Sequence, residues 1–558
     1  MNYQEELNIA KNYIKVGRYD KVIEIIKILK DKDGQNPQLL YDVGLLFGAM
    51  GYFQYALDEI NRSFEIEKSV EKLEMLANLN MELFNYSEAA IQYEELTKHI
   101  KSRKIYKKCV EAYKRLEYDE EAIRVLKMMT EEFDDATSYS ALTLQYIIVG
   151  MEKEALDCMK EAESKFKNHP AIYNLQGFIH ECIYNDYEKA KFYFKKAASL
   201  GYIEAYYNLG VCCKQSEDLV NAEKYLKKLI SLGTNDSINY NYTLGSVYLA
   251  KKKLRLGYKY YTKRNSAKKL KEINRFKLWD GKDYPEETLY ISTEQGFGDN
   301  LQFIRYLPFL TKKFKKIYYG VRGPLLELFK RNFPEDKYPN IEIINIKNHV
   351  YYDKYALIME VPFLLHKTFH DIPNREPYLC ADNRKVEMYK KNFFNNDDLK
   401  IGLCWRSKGM ELRDAVYRTI DAPYYFKDIM ELDNTKYYSF QMNDIFGMCK
   451  KYPQIKDLAP MLTSFDETAA ALKNLDILIT VDTSIAHLAG ALGVKTYLLL
   501  CHAPDWRWFD NTEKTEWYDS ITIIKQQDRK TWEDVSAKLT KFIKNDLKKL
   551  KKKTNKND

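Results

Sequence analysis

Cysteine is scarce and scattered in this chain. Its nine cysteines form no C-x-x-C pair, and an odd, dispersed set excludes a disulfide framework or a zinc module. Reduced thiols and a cytoplasmic setting are expected. Histidine is scarcer, at eight residues, with no H-E-x-x-H or other paired spacing, so no metal site is expected. No stretch approaches the ~20 apolar residues that cross a bilayer. The opening residues, MNYQEELNIAKNYIKVGRYD, hold no apolar signal core, so any membrane association is expected to be peripheral. A charge excess is also missing from most of the chain. The net charge is +8, but residues 541–558 hold eight Lys and two Asp, which leaves +2 for the other 540 residues. A near-neutral body argues against nucleic acid as a partner. The Lys-rich tail reads as a solvated helix end, with an anionic surface as its alternative role.

What is present is length and tyrosine: 558 residues, too many for one core, with 46 Tyr against 6 Trp. The first half repeats itself. A small or apolar residue after a turn opens a helix at Val22, Ala56, Ala89, Ala122, Ala155, Ala190, Ala222 and Gly257, in steps of 32 to 35 residues. Packing residues follow four and seven positions later, as in Ile60 and Ser63 or Phe194 and Ala197. A Val-Gly or Leu-Gly pair marks the preceding helix at Gly44, Gly210 and Gly245. One helical hairpin cannot bury its apolar face alone, and stacking supplies the neighbour. This pattern resembles the tetratricopeptide repeat, in about eight units over residues 1–265. The resemblance implies an all-α solenoid whose concave groove binds a protein, a peptide or an acceptor; a rigid spacer or dimerisation element is the alternative.

After a charged, irregular linker (266–284), strands and helices alternate. Strands are predicted at 288–292, 316–321, 341–346, 400–405, 436–442, 475–481 and 495–500, with helices at 301–314, 324–333 and 384–394. This alternation implies two parallel-sheet lobes, 285–383 and 384–540, with ligands beyond the C-terminal strand ends. Three loops carry the candidate chemistry. Asp482-Thr483-Ser484 breaks the apolar run LDILITV and opens a helix of small residues, an anion site in prospect because a helix N-terminus offers free N–H groups and partial positive charge. His487 lies one turn in. The loop EQGFGDN holds Gly296 and Gly298, which permit positive φ and close approach. Its Asp299 is either a helix N-cap or a carboxylate able to take a proton from an acceptor hydroxyl. After KIGLCW come Arg406, Ser407 and Lys408, then Arg413 and Arg418. Arg406 and Lys408, followed by Arg418, are the candidates to neutralise a diphosphate. Ser464 to Glu467 reads as a capping box, and Trp506 and Trp508 as packing aromatics.

The blocks EQGFGDNLQFIRYLPFL, IGLCWRSKG, SFDETAAALKNLDILITVDTSIAHLAGALG and APDWRWF together resemble the family 9-like glycosyltransferases, over about residues 275–527. The resemblance is closest to bacterial proteins that join tetratricopeptide repeats to such a domain; heptosyltransferases are better-known relatives. It implies a GT-B fold of two Rossmann-like lobes, a nucleotide-diphosphate sugar donor, no cofactor and metal-independent inverting transfer. By resemblance, Asp299 falls on the proposed base. Asp482, Thr483 and Ser484 fall on the donor-phosphate turn, and His487 on its histidine. Ser484 departs from the Gly of heptosyltransferases, and their lysine-bearing loop has no sure counterpart at Lys408, so the sugar is open. The expected function is transfer of a sugar to an acceptor hydroxyl, on a protein or a cell-surface glycan, with the repeats binding the acceptor or its carrier. The alternative is a repeat scaffold with a catalytically inactive nucleotide-sugar domain; an epimerase is a weaker third reading.

Overall fold

The repeat anchors decide the first half. In the computed structural model, which describes residues 3–233, 240–367, 372–373, 377–407, 418–420, 423–444, 447–508, 513–529 and 531–557, each of the eight anchors is the fourth residue of the second helix of a hairpin. Those helices are Tyr19–Asp33, Phe53–Ile66, Tyr86–His99, Asp119–Phe133, Glu152–Lys165, Tyr187–Ser199, Leu219–Ser231 and Leu254–Tyr261. Val22 and the six alanines are fully buried. The glycine of the preceding helix meets the residue four positions beyond the anchor. A Cβ on Gly44 would lie 2.4 Å from Ile60, one on Gly210 2.7 Å from Leu226, and one on Gly245 2.5 Å from the Tyr261 nitrogen. Gly177, absent from the sequence pattern, meets Phe194 in the same way at 2.4 Å. Small residues at two matched positions thus set the helix spacing of these four hairpins, and the first half is a helical array of tetratricopeptide type.

The chain divides into two compact units: residues 1–175 with 269–276, and residues 176–268 with 277–558. The expected repeat domain, 1–265, is therefore shared between them, and the helix Pro170–Cys182 runs through the division. The first unit holds the hairpins from Tyr3 to Lys165. Its distal segment docks on their tips: Tyr19 Oη donates to the Ile273 carbonyl (2.8 Å) and Arg275 to the Lys15 carbonyl (2.8 Å). The linker is accordingly not irregular at its start, where Asn265–Ile273 is helical.

The second unit carries the last repeats and two wholly parallel sheets. The first is built from β1 (Tyr284–Ser292), β2 (Phe314–Val321), β3 (Ile341–Asn345) and β4 (Lys354–Leu357), in the order β3-β2-β1-β4. The second is built from β5 (Leu399–Cys404), β6 (Thr435–Ser439), β7 (Ile455–Asp457), β8 (Ile477–Val481), β9 (Thr496–Leu500) and β10 (Ile521–Lys525), in the order β10-β9-β8-β5-β6-β7. Both lobes thus have the expected parallel α/β character. β4, β7 and β10 have no counterpart among the predicted strands. The helix expected over 301–314 starts earlier, at Phe297–Phe303, and gives way to a 3₁₀ turn, Ile304–Leu310, containing Pro308, whose ring removes a helical donor. The capping box holds in half: Ser464 Oγ accepts from Glu467 N (3.3 Å), while the Glu467 carboxylate turns to Lys385.

One apolar core runs through this unit. It joins Leu249, Tyr258 and Tyr261 of the last hairpin to Leu301 and Phe303 of the first lobe and Leu488 and Trp506 of the second. A second core lies between the larger sheet and the C-terminal helix Glu533–Asn557, through Val535, Leu539 and Ile543. The expected tail at 541 is therefore no boundary. Ile543 is buried, and Asp546 accepts from Tyr497 Oη at 2.6 Å and pairs with Lys495 at 2.5 Å.

Candidate functional site

Strand order locates the site before any side chain does. In the first sheet the order reverses between β1 and β4, and in the second between β5 and β8. Such switch points leave a crevice at the C-terminal strand ends. The glycine loop follows β1, the Arg406 segment follows β5, and Asp482-Thr483-Ser484 follows β8.

The glycine loop is held from within. Asn300, fully buried, donates to the Glu294 carbonyl (3.2 Å) and the Gly296 carbonyl (2.8 Å), and accepts from Tyr319 Oη (2.7 Å). Arg322 donates to the Gln295 carbonyl (2.7 Å). Every carbonyl from 294 to 296 thus has a donor, and the loop is preorganised. The positive φ expected of the glycines falls instead on Gln295, at 53°, while Gly296 has φ −78°. Arg322 holds the carbonyl of that strained residue itself, and Asn300 those of its two neighbours. The glycine at 298 serves close approach: a Cβ there would lie 2.9 Å from His487 Cδ2 and 3.4 Å from Ser484 Cα. The loop of the first lobe and the Asp-Thr-Ser turn of the second, far apart in sequence, therefore touch.

Asp299 is not the N-cap. It is the third residue of its helix, whose N-cap is Gly296. Its Oδ2 accepts from Gly296 N (2.9 Å), and its Oδ1 from Arg507 Nη2 (2.8 Å). Arg507 is the hub that sequence reasoning missed. It is buried, donates also to Gln302 Oε1 (2.9 Å), Asp505 Oδ1 (2.8 Å) and Tyr261 Oη (3.3 Å), and so joins both lobes to the last hairpin. Burial works against its charge, but Tyr261, Asp505 and Asp299 hold its pKa well above the usual value. Burial pushes Asp505 up, but Arg507 and Lys214 together outweigh it and the net shift is downward. The signal was in the phrase PDWRWF, a charge between two tryptophans; Trp506 and Trp508 are indeed buried.

On the second lobe, Thr483 is the N-cap of the helix Ser484–Leu492, with φ −140°, and its own side chain makes no capping hydrogen bond. Its hydroxyl instead meets Thr480 Oγ1 at 3.1 Å. Ser484 is the first helical residue and is partly exposed. Asp482 is buried and pairs with Arg418 at 3.5 Å. Burial raises its pKa, Arg418 opposes the rise, and Asp505 adds to it. His487 stacks on Trp508 (5.3 Å between centroids) and its Nδ1 meets Tyr518 Oη at 2.9 Å. Burial, with Arg507 and Arg305 nearby, lowers its pKa to about 3, so it is neutral. The Arg406 nitrogen donates to Gln441 Oε1 (2.9 Å), and its backbone bridges to Thr419. Lys408 and Arg413 lie outside the described residues.

A second buried pair ties the repeats to the glycine loop. Arg264, 1% exposed, donates from both Nε (2.8 Å) and Nη2 to Glu294 Oε2. The other Glu294 oxygen accepts from Met359 N at 3.2 Å.

The molecule is thus a helical-repeat protein of tetratricopeptide type with an α/β part of two parallel sheets. No family model matches the chain. It is 22% identical over 439 residues to Protein FlbA of Caulobacter vibrioides, covering 73% of this chain and 72% of that one. Among solved structures it is similar to a tetratricopeptide repeat protein from Parabacteroides merdae (21% identity, 36% of this chain and 79% of that one, TM-score 0.24). Another is the C-terminal part of a TPR repeat-containing protein from Cytophaga hutchinsonii (16% identity, 46% and 95%, TM-score 0.29). A third is YrrB, described as a TPR protein with an unusual peptide-binding site (15% identity, 31% and 91%, TM-score 0.24).

Proposed function

We propose that the two-sheet part is a glycosyltransferase domain of GT-B type, and that the repeats bind the acceptor protein or glycan, or its carrier. The observation that carries this reading is the meeting of two strand-end loops. The N-terminus of the helix Ser484–Leu492, which the Thr483 side chain does not cap, and the glycine loop bearing Asp299 come together beside two sheet switch points. In this reading a nucleotide-diphosphate sugar lays its diphosphate over the Ser484 end, where backbone N–H groups favour negative charge. Arg406, Lys408 and Arg418 screen that charge. The acceptor oxygen attacks the anomeric carbon, the bond from that carbon to the phosphate oxygen breaks, and the diphosphate leaves with the electron pair. Asp299 takes the acceptor proton. Transfer inverts the anomeric centre and uses no metal, following the family resemblance.

A second reading rests on one observation: both Asp299 oxygens already accept hydrogen bonds, from Gly296 N and from Arg507, so the carboxylate is held by the protein itself. It makes the domain an inactive nucleotide-sugar sensor attached to a repeat scaffold. Incubating purified protein with a panel of nucleotide sugars separates the two. Donor hydrolysis or transfer that falls at least a hundredfold in Asp299→Asn at saturating donor supports the transferase. Binding without turnover supports the sensor. Unchanged donor affinity in both Asp482→Ala and His487→Ala removes the donor-turn assignment from either reading.

A further inference from the structure

The turn between the helices Pro170–Cys182 and Tyr187–Ser199 is stapled to the α/β part. Asn185, at φ 52°, donates from Nδ2 to the Arg529 carbonyl at 2.6 Å. Beside this staple lies a cavity of about 690 Å³, within the usual range of small-molecule sites. Its walls include three rings. His180 stacks on Tyr193 (5.1 Å, 14° between planes) and touches Tyr184 (5.3 Å), and burial lowers its pKa, so it offers a neutral flat face. Tyr184 is 51% exposed, an aromatic face turned to water. Tyr187 carries the Arg529 guanidinium 5.0 Å from its centroid.

The charges are unevenly disposed. Asp186 is occupied by its own helix: its Oδ1 accepts from Lys189 N at 3.0 Å, and it pairs with the Lys189 side chain at 3.5 Å. Glu188 swings out, 86% exposed, while its partner Lys191 is only 14% exposed. Arg529 has no carboxylate within ion-pair distance among the described residues. The charge left over is therefore positive, from Arg529, beside a Lys191 ammonium that Glu188 shares at 3.0 Å from the solvent side. Asn185 Oδ1 and His180 Nδ1 are buried without a hydrogen-bond partner, and Ser216 adds a hydroxyl to the lining.

Exposed rings beside amide and hydroxyl groups suit the C–H face and hydroxyls of a sugar, and a cation on a ring suits an acid group. An apolar ligand has too many charges to desolvate here. A polyanion would meet the carboxylates of Asp186 and Glu188. We propose that this cavity binds an acidic saccharide, its ring against Tyr184 and its carboxylate on Arg529 and Lys191. The site stands apart from the donor turn and does not rest on the transferase reading.

The test is calorimetric titration of the full chain with a tetrasaccharide of alternating glucuronic acid and N-acetylglucosamine, its carboxyl-reduced counterpart, and inorganic phosphate. One acidic tetrasaccharide is expected per chain. Carboxyl reduction, Arg529→Gln and Lys191→Gln should each weaken it about tenfold, the scale of one lost charge-assisted contact. Arg529→Gln keeps the backbone carbonyl that Asn185 holds, so the staple survives. Tyr184→Ala, at an exposed position, should weaken both saccharides, with an unchanged melting midpoint as the folding control. Absence of binding to the unaltered protein at millimolar saccharide overturns the proposal, as does equal affinity in the Arg529 and Tyr184 variants. Phosphate bound as tightly as the saccharide reduces the site to an anion hole, and equal binding of the carboxyl-reduced form removes the acid assignment; either result overturns it.

Discussion

The Arg507 guanidinium donates to three side-chain acceptors, Asp299, Asp505 and Gln302, two of them carboxylates. Replacing one partner of a buried ion pair leaves the other charge uncompensated, at about 3–5 kcal/mol. Arg507→Met should therefore lower the unfolding free energy of the second unit by that amount in chemical melts, and the double variant with Asp299→Asn should recover part of the loss. His487 makes a pH prediction. The unfolded chain takes up a proton near pH 6.5, whereas the folded one refuses it down to about pH 3. The stability that neutral His487 contributes is complete above pH 6.5 and falls on acidification, by up to about 1.4 kcal/mol per pH unit. Asp482 acts oppositely, because burial raises its folded pKa and acid relieves it. Comparing His487→Gln with the parent between pH 7 and 4.5 should show a shallower loss in the variant. The sequence singled out Asp482, His487 and Asp299 as candidates because each sits at a strand end or helix start, where local pattern has meaning. It concealed Arg507 and Asn300. Their partners are distant loops and backbone carbonyls, and no spacing rule announces a buried guanidinium between two tryptophans.

Among elements, the repeat helices were the most legible, because their period and their small anchors follow from the same close packing. The helix Pro37–Ala49 offers a controlled comparison. A methyl on Gly44 would press into Ile60 at 2.4 Å, whereas one on Gly48 comes no nearer than 3.8 Å, to the Ala56 Cβ. Gly44→Ala should destabilise by about 1–3 kcal/mol through overpacking. Gly48→Ala should stabilise by up to about 1 kcal/mol through helix propensity, and thermal melts of the two variants will part in opposite directions. Two of the three strands missed in the sequence share a cause. β4 and β7 are only four and three residues long, too short for alternation to register. β10 was passed over although it follows the pattern Ile521-Thr522-Ile523-Ile524. Gly298 was legible as an important glycine but for another reason: it makes room for His487, with no need of a left-handed backbone. Gly298→Ala should cost about 1–3 kcal/mol, because the ring it meets is pinned by Trp508 and Tyr518 and cannot yield.

At the scale of the molecule, the last hairpin belongs with the sheets. Tyr258 and Tyr261 lie in the same core as Trp506, and Arg264 is buried against Glu294. A fragment of residues 170–558 should therefore unfold in one cooperative transition, whereas one beginning at residue 277 should remain insoluble or melt without cooperativity. Calorimetry of the two fragments tests this. Composition changes along the chain at residue 266, and the division of the structure does not follow it, because a core is shared by contact and not by sequence style.

The shared core also orders events during synthesis. The hairpins bury themselves on their neighbours as they emerge, since their contacts are local. Tyr258 and Tyr261 cannot, because Trp506 is about 245 residues further along the chain. At translation rates of roughly 5–20 residues per second, that hairpin waits on the order of 10–50 s before Trp506 covers the sides of the two rings it meets. It is the stretch where a nascent-chain chaperone has most to hold, and where slowing translation past residue 261 lengthens the exposure.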